Sequence, residues 1–291
     1  MLPLAMITGG IFYDFFGGLS FITPYLIFSM LLITFCKLSL RDIRISHLHL
    51  WLIAIQIFGS LLVFWLFYFI DPVVAEGAFI CILAPTATAA AVITGMLGGR
   101  VSTLATYSLV SSLSIAFVAP VIFSFIGTHS EMVFVDSFLY IFKQVGSLLI
   151  LPFVCALLLQ KTFPSVHRKL YNAQMLSFYM WSVSLAVVTG KTVSFIAAQN
   201  SANYQKEIWI AGCALVICVS QFILGRHIGR HYNNTIAGGQ GLGQKNTILA
   251  IWMAQVYLNP LASIGPASYV LWQNIINSYQ LWKKRKNDLV A

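Results

Sequence analysis

Residues 237–251 read A-G-G-Q-G-L-G-Q-K-N-T-I-L-A-I. The stretch holds four glycines, two glutamines, a lysine and an asparagine inside a chain that is otherwise strongly apolar. Glycine is a poor helix former, and a lysine near mid-bilayer costs at least ~2.5 kcal/mol on insertion scales. A continuous transmembrane helix is therefore not expected here. Broken backbone at membrane depth survives only where protein covers it or where it lines a cavity. The first half has a counterpart at Cys81–Arg100, C-I-L-A-P-T-A-T-A-A-A-V-I-T-G-M-L-G-G-R, with Pro85 near its start and small or hydroxylated residues after it. Two interrupted apolar segments, one in each half, point to the binding site of a transporter.

Composition sets the class. The chain has 291 residues, 59% hydrophobic and 9% charged, against about 25% charged in a soluble globular protein. It reads as an all-α polytopic membrane protein whose first partner is the lipid bilayer. Residues 1–16 carry no basic leader, so no cleavable signal is expected. The five cysteines lie in or beside apolar runs and are expected as free thiols. The net charge of +9 reports orientation, not nucleic-acid binding.

Apolar runs predict ten spans: 2–16, 21–39, 47–70, 73–97 broken near Pro85, 101–126, 132–159, 171–197, 207–229, 235–257 broken near Gly243, and 261–282. With the N-terminus inside, the inner loops and tail hold 13 of the 17 basic residues, and the outer loops hold only Lys206. That asymmetry follows the positive-inside rule and puts both termini in the cytoplasm, as in a bacterial inner-membrane protein. Two sets of five spans face opposite ways, an inverted repeat of residues 1–127 and 128–291 with spans 4 and 9 crossing.

The half-helix after each break turns its N-terminus toward mid-membrane, where free N–H groups and the positive dipole end favour an anion. Lys245 adds a fixed positive charge, and no acidic residue falls within a span near it; the alternative for this side chain is snorkelling to an interface. Gln56, Gln221, Gln255, Gln273, Asn274 and Asn277 are membrane-buried amides, which serve either a site or helix–helix contact. Lys143 lies deep enough to face a cavity, while Lys191 reaches the outer interface. His227 and His231 share a helical face but have no third ligand, so no metal site is expected. No Ser-His-Asp set, HExxH motif or Walker loop is present. Neither an enzyme nor a cofactor is expected.

Four stretches carry a resemblance: T-P-Y-L-I-F-S-M-L-L-I-T-F (23–35), L-A-P-T-A-T-A-A-A-V (83–92), G-Q-K-N-T-I-L-A (243–250) and S-Y-V-L-W-Q-N-I-I-N-S (268–278). With these the chain resembles the bile acid:sodium symporter family over nearly its whole length. The resemblance implies a panel domain from spans 1, 2, 6 and 7, a core domain from spans 3–5 and 8–10, and substrate between them near the half-helix N-termini. Thr86, Thr88, Asn246 and Thr247 are expected to cap the half-helices and contact the substrate, and the resemblance of the 268–278 stretch to the family's tail adds Gln273 and Asn274 as second contacts. Gln56 matches the family's span 3 glutamine at its second sodium site, and Ser108 retains a span 5 hydroxyl.

The departures from that pattern concern sodium. Ala90 and Ala91 stand at the family's Ser and Asn, and Leu104 at a hydroxyl. The family's shared acid falls at Gly241, or at Gln240 with a one-residue shift. The family's Gln falls at Lys245, or with that shift at Gln244. A hard cation needs oxygen ligands, and most are lost. The expectation is therefore a sodium-independent secondary transporter of a small organic anion, with Lys245 standing in for sodium. An ammonium that exchanges its proton during the cycle gives the alternative, coupling to H⁺. A sodium-coupled symporter, an auxin-efflux-type carrier and a non-transporting membrane sensor stay open at this point.

Overall fold

The computed structural model describes residues 2–38, 43–87, 89–128, 132–198 and 204–288. The described residues form helices and no strands. In chain order these are α1 (Leu2–Ile11), α2 (Tyr13–Gly18), α3 (Thr23–Phe35), α4 (His47–Tyr68), α5 (Pro72–Leu83), α6 (Ala90–Met96), α7 (Val101–Ile126) and α8 (Phe134–Ile141). Then follow α9 (Ser147–Thr162), α10 (Pro164–Tyr171), α11 (Gln174–Ala197), α12 (Tyr204–His231), α13 (Thr235–Gly243), α14 (Thr247–Tyr257) and α15 (Ile264–Asp288).

Among the described residues, six stretches are long and apolar enough to cross a membrane: Tyr13–Phe35, His47–Tyr68, Val101–Ile126, Phe134–Thr162, Met175–Ala197 and Tyr204–His231. The chain is thus a helical membrane protein. The two interrupted segments fall outside this set for a simple reason. At 1.5 Å per residue, the 12 residues of α5 or the 11 of α14 reach only about half of a ~30 Å hydrocarbon layer. The amide-rich α15 is not among the six either. The expected first span, 2–16, is kinked at Phe12 (φ −102°, ψ 42°) into α1 and α2. A short helix, α10, occupies what the sequence reads as a basic loop between spans 6 and 7.

The chain divides into two compact units. One comprises Met1–Ser39, Leu113–Tyr204 and Ile248–Ser263. In it α1, α2 and α3 pack on α11, and α3 also packs on α9. Small residues permit this closeness: a Cβ added at Gly9 would stand 2.3 Å from the Ala186 carbonyl oxygen. A polar seam joins its helices, with the Gln255 amide donating to the Val188 carbonyl and the Thr192 hydroxyl, and Tyr257 donating to Gln144 at 2.8 Å. Phe142–Gly146 forms a π-helical turn between α8 and α9, with Lys143 exposed on it. Lys191 lies over the Phe195 ring, 4.8 Å from its centroid.

The other unit comprises Leu40–Ser112, Gln205–Thr247 and Ile264–Ala291. Here α4 and α15 pack on α5, and α13 packs on α4 and α6. Its interior is apolar at Leu48, Leu52, Tyr107 and Leu242, and at Ala78, Ile82, Ile217 and Phe222. Asp71 starts α5 by accepting the Val73 and Val74 N–H groups, and meets the Lys206 ammonium at 2.7 Å. Burial works against this carboxylate, but Lys206 and the two N–H donors outweigh it and hold the carboxyl below its ordinary range. A depressed folded-state pKa stabilises above the unfolded value of about 3.9 and is lost as pH falls through the folded one. Asp71→Ala is expected to cost about 1 kcal/mol of stability at neutral pH and to flatten the acid limb of a melting-temperature profile. An unchanged acid limb would mean that other carboxylates set it.

Candidate functional site

The break in the first half is Ala84–Ala87, between α5 and α6, and the break in the second is Gln244–Asn246, between α13 and α14. The two extended links run antiparallel and bond to each other at Thr86 and Lys245. The Ala87 N–H donates to the Gln244 carbonyl at 2.9 Å, and the Asn246 N–H donates to the Pro85 carbonyl at 2.8 Å. Pro85 has no N–H to offer and disfavours helical geometry at Ala84 before it, so the first break is local chemistry. The second break is not made of glycine. Gly238, Gly239, Gly241 and Gly243 all lie within α13, and the helix ends only after them.

Each half-helix that runs into a break ends in carbonyls with no intrahelical partner. Around α5 these are filled one by one. Gln221 donates to Cys81 O at 3.3 Å, the Lys245 ammonium to Ile82 O at 2.7 Å, and the Gln56 amide to Leu83 O at 2.7 Å and Ala84 O at 3.0 Å. At the end of α13, Thr86 donates to Gly241 O and Tyr269 to Gly243 O, both at 2.8 Å. Each broken end is closed by side chains from other helices or from the opposite link. The negative end of a helix dipole favours a cation, so the ammonium also neutralises the end of α5.

Lys245 is 1% exposed. Its peptide is held at both ends by Gln273, whose Oε1 accepts the Lys245 N–H at 2.9 Å while its Nε2 lies 3.4 Å from the Lys245 carbonyl. Snorkelling is excluded for this side chain, which turns into the unit. Lys245 makes no ion pair among the described residues.

The remaining residues singled out by sequence fall as follows. Gln56 is fully buried, and its Oε1 accepts from both Tyr107 and Ser111 at 2.9 Å. Ser108 is half-buried on the same helix, and the hydroxyls that reach Gln56 are its neighbours Tyr107 and Ser111. Thr247 is buried at the start of α14, and Asn246 half-buried just before it. The Asn274 amide donates to Val270 O at 2.7 Å, one turn back in its own helix. Thr88 lies outside the described residues. The sequence alone does not single out Tyr107, Ser111 and Tyr269. A signal existed: Tyr107 and Ser111 are four apart, as are Tyr269 and Gln273, so each pair shares a helix face.

Gln56 Oε1 accepts two hydrogen bonds, the carbonyls of Cys81, Ile82, Leu83 and Ala84 accept one each, and Ala90 and Ala91 have no side-chain oxygen. Gln221, Gln240 and Gln244 keep buried amide oxygens with no hydrogen-bond partner. No group of three or more His, Cys, Asp or Glu suited to a metal occurs among the described residues. Cysteines 36, 81, 155, 213 and 218 are free thiols. Comparison with models of known protein families gives no match, and no curated protein matches the chain.

Proposed function

We propose that the protein is a secondary transporter of small organic anions working by alternating access, of the bile acid:sodium symporter type, with Lys245 in the role of bound sodium. The observation that carries this is the Lys245 ammonium, buried without a carboxylate and fixed at 2.7 Å on the Ile82 carbonyl where two broken helices meet. A buried charge is expensive and persists where it is used. The positive charge without a carboxylate partner favours an anionic substrate. Ten spans in an inverted repeat of 1–127 and 128–291, with both termini in the cytoplasm of a bacterial inner membrane, belong to the same proposal. The charge asymmetry of the loops supports it. Substrate contact by Thr86, Thr88, Asn246 and Thr247 at the half-helix N-termini belongs to the same proposal, and contact by Gln273 and Asn274 is carried over from the resemblance.

The test is uptake into liposomes containing purified protein. At fixed pH and membrane potential, replacing external sodium by potassium or choline is expected to leave uptake of an anionic substrate unchanged. A strict sodium requirement would overturn the surrogate role of Lys245 and turn attention to the free amide oxygens of Gln221, Gln240 and Gln244. A pH gradient that drives uptake would identify H⁺ as the coupling ion. The charge preference is tested in a thermal-shift screen, where carboxylic acids are expected to stabilise and their neutral amides to fail. Equal stabilisation by an acid and its amide would remove the anion reading.

A further inference from the structure

The helix α10 sits between Thr162, which ends one candidate span, and Met175, which begins the next. That places it at the edge of the hydrocarbon layer. Its sequence, P-S-V-H-R-K-L-Y, is divided by face. Ser165, Arg168, Lys169 and Asn172 follow the i, i+3, i+4, i+7 rule and share one side. Phe163, Val166 and Leu170 share the neighbouring side. On that side Phe163, at the N-cap, is 61% exposed and Val166 45%, and Leu170 is half-buried. An apolar face left open beside a basic one is the pattern of a helix lying in the membrane interface.

The basic side is concave. Pro164, Ser165, Arg168, Lys169 and Asn172 line an open pocket of about 460 Å³. Its lining offers a guanidinium, an ammonium, a hydroxyl and an amide, and no carboxylate. No acidic residue occurs between positions 137 and 206, and no ion pair engages Arg168 or Lys169 among the described residues. A planar guanidinium next to an ammonium matches the oxygens of a phosphate group. Basic pockets at the membrane surface take acidic lipid headgroups, and the apolar side of α10 is placed to accompany an acyl chain.

We infer that α10 is a binding site for an anionic phospholipid, with the headgroup phosphate on Arg168, Lys169, Ser165 and Asn172 and the acyl chain along Phe163 and Val166. The lipid ties the connection between α9 and α11 to the membrane surface. Chemistry alone would also admit free phosphate, and the apolar flank is what favours the lipid.

The test uses the full chain in detergent, titrated with phosphatidylglycerol, phosphatidylcholine or inorganic phosphate, read by native mass spectrometry and by melting temperature. Wild type is expected to retain phosphatidylglycerol and to gain melting temperature from it, and to ignore the other two. The double variant Arg168→Gln/Lys169→Gln is expected to weaken retention about thirtyfold, the combined weight of two basic residues at an anionic interface. Ser165→Glu, which sets a carboxylate in the pocket, is expected to weaken it similarly. These side chains are exposed, so folding is preserved, and the control Lys283→Gln/Arg285→Gln removes the same charge from α15. Equal loss in the control, or equal retention of phosphatidylcholine, would overturn the site. Inorganic phosphate that stabilises as well as the lipid would overturn the lipid and leave a free-anion site.

Discussion

Lys245→Met is expected to lower uptake of an anionic substrate by about a hundredfold or more. Two effects add. A unit charge acting on an anion ~8 Å away at an effective dielectric of ~20 contributes ~2 kcal/mol, or about thirtyfold. Removing the ammonium also strips Ile82 O of its donor, and an unpaired buried carbonyl costs about 1–3 kcal/mol. The second effect is structural and the first is not, so a second variant separates them. Lys245→Gln keeps a donor that can face Ile82 O but carries no charge. It is expected to melt closer to wild type than the Met variant does, yet to transport almost as poorly. Wild-type uptake by Lys245→Gln would show that the charge has no part in the cycle. Full recovery of melting temperature without recovery of uptake would isolate the charge as the functional element.

The breaks were legible because their causes are local. Pro120 and Pro152 sit inside α7 and α9, so proline alone does not end a helix. But Pro85 withholds an N–H and disfavours helix at Ala84, and a lysine in an apolar run demands a reason wherever it sits. The second break was placed correctly near Gly243 but for a different cause than glycine. In this chain the glycines continue α13: Gly238, Gly239 and Gly243 pack closely on α12, and Gly241 packs on Tyr107 and Leu52, partners that no local rule names. The caps were legible only in part. Gln56, Gln273 and Lys245 stand out as polar residues in apolar spans, whereas Tyr107 and Tyr269 pass as ordinary membrane aromatics. Thr86 stands out in the sequence because it follows Pro85, but the partner of its hydroxyl, Gly241, lies 155 residues on. Such pairings depend on which helices meet, and period carries little information where apolar residues surround a helix on all sides. The amphipathic α10 was missed for the opposite reason: its basic residues suit a loop as well as an interfacial helix.

The close packing of α12 on α13 yields the other large effect. Gly225 and Gly238 approach so closely that a Cβ added to Gly225 would stand 2.3 Å from the Gly238 carbonyl oxygen and 2.9 Å from its carbonyl carbon. A Cβ added to Gly238 would meet the Gly225 oxygen at the same 2.3 Å. Both neighbours are backbone, so no side chain can rotate away, and the helices themselves would have to part. Overpacking in a close-packed interior costs about 1–3 kcal/mol when side chains can adjust, and more when they cannot. Gly225→Ala is therefore expected to destabilise by at least about 3 kcal/mol, despite alanine's better helix propensity. The shift would also displace α13, whose end carries the Gln244–Asn246 link, so uptake should fall together with melting temperature. Gly212 supplies the comparison on the same helix. A Cβ there meets nothing within 4 Å, so Gly212→Ala is expected to stabilise by about 0.5–1 kcal/mol through helix propensity alone. Opposite signs for one substitution at two positions of α12 is the expected result. Equal, small effects at both would mean that α12 and α13 are not in backbone contact, and that the glycine-rich stretch is needed for something other than packing.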